Sequence, residues 1–130
     1  MRVPMALYGA MFCVCFASVL QAQDAVKVDP KHYSVVSEND QVRILKVHYG
    51  PHEKSVMHSH PDAVAVFLTD TTAQFNFPDG KTQPVSIKAG EAQFTPAQVH
   101  LPENTSDKGF DVIVVELKGH RAKMSKTGAK

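Results

Sequence analysis

The sequence predicts an all-β domain, with eight or nine short strands arranged as a sandwich or barrel and the jelly roll as the leading candidate. Three observations carry this. Runs rich in Val, Ile, Phe and Thr recur along the chain, separated by turn residues. No segment holds an apolar period of 3.6 long enough for a helix. No internal repeat or linker interrupts residues 26–118, so they read as one folded unit.

Taken in order, the strand candidates are His32–Val36, Val42–Tyr49, Ser55–His60, Ala63–Thr69, Ala73–Phe77, Gln83–Ile87, Ala92–Thr95, Val99–Leu101 and Phe110–Leu117. Glu38-Asn39-Asp40 separates the first two, because Asn and Asp bond to nearby backbone and tolerate turn dihedrals. Tyr49-Gly50-Pro51 ends the second. Pro78-Asp79-Gly80 joins the fifth and sixth, and its Asp-Gly pair is a strong hairpin signal. Lys88-Ala89-Gly90 and Asp107-Lys108-Gly109 mark the later turns.

The two ends read differently. Arg2, an apolar run over residues 3–20 and the small-residue exit at Leu20-Gln21-Ala22 have the layout of a signal peptide over 1–22. A membrane anchor is the competing reading, but the run sits at the lower limit for a span. Cys13 and Cys15 both lie in this segment, so the mature chain would have neither disulfide nor thiolate ligand. Export without disulfides points to a periplasmic or secreted protein. Cleavage removes Arg2 from the 14 basic residues, leaving 13 against 13 acidic ones. No net field then draws the chain to nucleic acid, or to a membrane once the leader is gone. Lys118, Arg121, Lys123, Lys126 and Lys130 are followed by no acid and no aromatic, and residues 119–130 read as a basic, disordered tail.

The chemistry concentrates in His58-Ser59-His60 and His100. Side chains alternate along a strand, so an H-x-H pair presents both imidazoles on one face. A third histidine about forty residues later, in GEAQFTPAQVHLPEN, can return on a facing strand. Three neutral imidazoles would hold a divalent transition metal, and Fe, Zn, Mn, Ni and Cu all stay open. The competing reading leaves the pair on an exposed edge strand and His100 solvated in a loop.

Gly50, His58-Ser59-His60, and then Gly90, Pro96, His100 and Asn104 resemble the two-motif signature of the cupin superfamily. Five residues separate Gly90 from Pro96, and three separate His100 from Asn104. The resemblance implies a single-domain cupin jelly-roll barrel of the small conserved-barrel type, and a homodimer. It says little about activity, because cupins include enzymes, sensors, storage proteins and isomerases. The motif glutamate would fall near Val64 or Ala65, both apolar; the usual glycine after Pro96 is Gln98, and the spacer to His100 is one residue short. Three histidines with open positions form a catalytic-type set, similar to the iron centre of thiol dioxygenases.

Around this set, His52 and Glu53 are candidates for a fourth ligand or proton carriers, against the plainer reading of a solvated loop. Alternation turns Glu103 away from the site, and Asn104 is expected to hold its turn through backbone bonds. Asn104-Thr105-Ser106 also matches a glycosylation sequon. Met57 and Phe67 read as core; Val64, Val66 and Leu68 are expected on the histidine face as an apolar floor, with Phe75 and Phe77 beside them. Phosphate-loop, G-x-S-x-G and cysteine-nucleophile chemistries find no motif. The reading is an exported small cupin holding a divalent transition metal through His58, His60 and His100, with room for a small-molecule ligand. A metal-dependent oxygenase or dioxygenase and a metal-free ligand-binding barrel are the alternatives, and whether the protein is an enzyme stays open.

Overall fold

The computed structural model describes residues 23–119; the proposed leader, with Cys13 and Cys15, and the basic segment beyond Gly119 lie outside them. The first element is a single helical turn, α1 (Ala25–Val28), capped by Asp24, whose Oδ1 accepts from the Val26 N–H at 3.0 Å. One turn carries no readable 3.6 period, which is why the sequence does not announce it.

Nine strands follow: β1 (Tyr33–Glu38), β2 (Val42–Tyr49), β3 (His58–His60), β4 (Ala63–Phe67), β5 (Thr71–Asn76), β6 (Thr82–Ile87), β7 (Ala92–Thr95), β8 (Gln98–Asn104) and β9 (Phe110–Leu117). Each matches a predicted run; β2, β7 and β9 keep the predicted bounds, and the other six shift at one or both ends. β3 begins three residues late, at His58, with only single contacts to β8 before it, at Lys54 and Ser55. β8 runs on through Pro102 to Asn104. Pro102 is tolerated because its carbonyl, accepting from Ser55 N–H at 2.9 Å, faces the side that β3 has already left. Pro84 sits on β6, an edge strand.

The strands form two antiparallel sheets, ordered β1-β2-β9-β4-β7 and β3-β8-β5-β6, with no ladder joining one to the other. Inward side chains of both make the core, which includes Leu45, Val47, Tyr49, Phe67, Phe110 and Val112. This is the jelly-roll sandwich. α1 packs against β1 and β3, the first strands of the two sheets. The opposite edges, β7 and β6, stay apart and line the mouth of a cavity. The Asp-Gly hairpin forms as expected between β5 and β6, with Gly80 at φ 83°, a left-handed conformation that suits glycine.

The expected strand phase fails at one place. Ala63, Ala65 and Phe67 point inward, whereas Val64 and Val66 are half-buried on the outer face and Leu68 is 51% exposed. The Pro61-Asp62 step between β3 and β4 shifts the alternation by one residue. Asp62 fixes that step, accepting from the Ala97 N–H through its side chain and from the Leu117 N–H through its carbonyl. Met57 is also not core but 36% exposed, just before β3 begins. Among the described residues no helix is long and apolar enough to cross a membrane.

Candidate metal centre

β3 and β8 bring the three histidines together. His58 lies directly opposite His100 in the ladder, and His60 lies opposite Gln98, so all three side chains share the inner face. Their rings stand nearly perpendicular to one another: 86° for His58 and His60, 87° for His58 and His100, 90° for His60 and His100. The centroids are 4.8, 5.0 and 5.2 Å apart, and each ring offers a nitrogen within 4.8 Å of the others. His58 is fully buried and His100 is 5% exposed.

The bonds around the rings decide which nitrogens are free. His58 Nδ1 lies 2.8 Å from the Val56 carbonyl, which can only accept, so Nδ1 carries the proton. His60 Nδ1 lies 3.1 Å from Glu116 Oε1, and the carboxylate accepts there likewise. Both Nε2 lone pairs therefore point inward, 3.0 Å apart. Two lone pairs at that distance repel unless a proton or a metal ion lies between them. His100 adds a buried ring with neither nitrogen hydrogen-bonded. A buried polar group without a partner costs roughly 1–3 kcal/mol. The donor set thus fits a divalent metal, which at 2.0–2.2 Å from each nitrogen holds them about 3 to 3.5 Å apart. A modest ring rotation closes the rest.

Electrostatics favour the neutral, ligating form. Burial first, then the His60 ring, pushes His58 down to about 4. Burial, then His60 and His58, pushes His100 down to about 3. Glu116, 2% exposed, resists the upward push of burial because His60 and Arg43 bond to it, and its carboxyl stays below the ordinary range. Arg43 Nε donates to Glu116 at 2.6 Å, and the same guanidinium pairs with Asp24 at the cap of α1. A carboxylate behind a histidine fixes its tautomer and raises its basicity. Glu116 therefore supplies, from β9, a carboxylate behind the site that the apolar Val64 and Ala65 do not. One signal for it stood in the sequence: an acid in phase with the inward Val112 and Val114 of an apolar strand.

The loop candidates do not join the site. His52 is exposed, at φ 55°, and pairs with Asp107 at 2.6 Å. Glu53 is held by Lys31 at 2.6 Å, His32 at 3.0 Å and the Gly50 N–H at 2.7 Å. The Lys31 and Gly50 bonds pull its pKa down to about 2. Among the described residues, only His58, His60 and His100 form a group of three or more ligand-type side chains whose donor atoms all lie within 4.8 Å of one another. Asn104 behaves as expected, donating to the Gly50 and Lys108 carbonyls at 2.8 and 2.7 Å and accepting from Ser106. It is fully buried, which closes the sequon to modification.

A cavity of about 520 Å³ opens from His60 and His100 between the sheets. Phe75 lies against His100 at 4.7 Å, and Tyr33 against His58 at 4.9 Å. The Tyr33 hydroxyl is 2.9 Å from that of Tyr49, and burial, reinforced by Tyr49, raises the Tyr33 phenol well above its ordinary range.

No protein-family model matches the sequence, and no curated protein is significantly similar to it. Solved structures do match. A cupin domain from Bordetella pertussis is 24% identical and superposes with a TM-score of 0.63, over 67% of this chain and 92% of that one. A conserved protein with a double-stranded β-helix domain from Klebsiella pneumoniae is 24% identical at a TM-score of 0.54, over 68% of this chain and 76% of that one. A cupin superfamily protein from Desulfitobacterium hafniense is 16% identical at a TM-score of 0.52, over 67% and 76%. The chain has the cupin fold.

Proposed function

We propose that this protein is a small metal-binding cupin in which His58, His60 and His100 hold one divalent transition metal and leave its remaining positions open to a small molecule in the cavity. The observation that carries this is the pair of inward Nε2 lone pairs 3.0 Å apart, completed by a buried His100 with no hydrogen-bond partner. A bound metal there would act as a Lewis acid or lower the pKa of bound water. The chain's own part is to keep His58 and His100 neutral by burial, and to orient His60 through Glu116.

Ligand binding without turnover is the primary reading. Turnover by an oxygenase or dioxygenase is the second, favoured by the coordination positions that three protein ligands leave vacant beside the cavity. The same proposal has the protein exported, with residues 1–22 removed, and working in the periplasm or outside the cell as a homodimer. The leader-like composition of the first residues supports export.

Metal analysis of untagged protein tests the core of the reading. One equivalent of a divalent transition metal is expected after loading and desalting, and none in His100→Ala. Equal metal in both proteins would contradict it.

A further inference from the structure

The cavity wall carries information that the three histidines do not. Among the described residues, no Lys, Arg, Asp or Glu lines it. Its room comes from small side chains at inward positions that larger aliphatics would otherwise fill: Ala63 and Ala65 on β4 and Ala73 on β5, each buried. Phe67, Phe75 and Phe110 give it apolar, partly aromatic walls. The polar groups at its rim, Gln83, Gln93 and Gln98, are neutral.

The charge around the centre is also countable. Arg43 pairs with both Asp24 and Glu116, so this group carries one positive and two negative charges; the next carboxylates out, Asp29 and Glu53, are bonded to His32 and Lys31. A divalent ion on three neutral imidazoles, set against that net single negative charge, leaves one positive charge for a ligand to meet. A second negative charge on the ligand would enter an apolar wall with no cation to receive it, and an unpaired buried charge is costly.

We infer that the ligand of this site is a monoanion on an apolar body: a single carboxylate, thiolate or phenolate donor reaching the metal, with the rest against the alanine-lined wall. Multiply charged molecules such as sugar phosphates or dicarboxylates are disfavoured by the same wall. The inference rests on the proposed metal site and deepens it.

Cobalt(II)-loaded protein, whose visible absorption changes when a ligand binds the metal, separates the two claims. Titration uses three probes: phenylacetate, acetate and homophthalate, the last adding a second carboxylate to the same ring. Phenylacetate is expected to bind at least about tenfold more tightly than acetate, since burying even two carbon groups is worth about that much. It is also expected to bind at least about tenfold more tightly than homophthalate, and, by calorimetry, not at all to metal-free protein. Ala65→Leu should weaken phenylacetate about tenfold or more, with acetate and cobalt binding unchanged. Gln93→Lys, at an exposed rim position, should strengthen homophthalate about fivefold, the size of an exposed ion pair. Should Ala65→Leu fail to fold, the wild-type ladder and Gln93→Lys still decide. If cobalt binds but acetate equals phenylacetate, or homophthalate equals or exceeds it, the ligand class is wrong and the metal site stands. If cobalt does not bind, both fall.

Discussion

Two buried histidine clusters lie next to each other in this fold, and they differ in what their nitrogens face. In the first, His32 has Nδ1 against Asp29 at 2.7 Å and Nε2 against Glu53 at 3.0 Å. Its ring stacks on Tyr49 at 4.2 Å, and Ser55 donates to the same Asp29. Every polar atom of that ring is satisfied. In the second, His58 and His60 spend only their Nδ1 atoms on protein partners, and His100 spends neither nitrogen. Ser55 touches both clusters, lying 3.2 Å from His58 Nδ1. Burial is therefore not what marks a ligand, since His32 is as buried as His100. The mark is an uncommitted lone pair aimed at others of its kind.

The largest expected effects set the clusters apart. His100→Ala should lower zinc affinity more than about a hundredfold, beyond the 10- to 100-fold that loss of an outer partner causes, and leave folding nearly intact. His32→Ala should do the reverse. It strips Asp29 and Glu53 of a shared partner at a buried position and should cost about 3 kcal/mol, at the low end for breaking a buried pair. That is a fall in Tm of roughly 12–24 °C for a domain of this size. Its metal stoichiometry should stay at one. Competition with a chelating dye and thermal melts read the two quantities separately.

Glu116→Gln comes next. It keeps the shape of the side chain but removes the charge behind His60 and one of the two charged partners of Arg43. Zinc affinity should drop by about 10- to 100-fold, measured by the same competition. An unchanged affinity would place Glu116 with the structural cluster instead.

Acid should act on the second cluster. His58 and His100 have folded pKa values of about 4 and about 3, below the ordinary value of 6.5. The unfolded chain therefore binds more protons than the folded one below that value. Stability is fully present above pH 6.5 and is lost as pH falls through 4 and then 3. Metal-free protein should lose at least about 1 kcal/mol, or roughly 4–8 °C, between pH 7 and pH 5. The lowered carboxyls Glu53 and Glu116 contribute only further down. His58→Gln/His100→Gln should flatten this limb in melts run with chelator.

Much of this was legible in the chain. Alternation and turn chemistry mark all nine strands, and the H-x-H spacing with its later partner marks the three rings. What was not legible has identifiable causes. The inward face of β4 was missed because the two-residue step at Pro61-Asp62 changes strand phase, and period-two reasoning cannot see across such a step. α1 is too short to show a period. The Asp29–His32–Glu53–Ser55 cluster was missed because its parts come from a turn and a loop, where no periodicity ties residues together. Ser55 itself predicts the smallest effect: Ser55→Ala should cost about 1 kcal/mol in chemical denaturation and leave zinc affinity within about tenfold, at the weak end for an outer partner.

The contrast between the clusters can be tested in one spectrum. Long-range ¹H–¹⁵N correlation resolves both nitrogens of each histidine ring as zinc is added. One equivalent should shift the Nε2 signals of His58 and His60 and one nitrogen of His100, with saturation at 1:1 and the His32 signals unmoved. Zinc shifting His32 or the exposed His52 while the three rings on β3 and β8 stay unchanged would contradict the account.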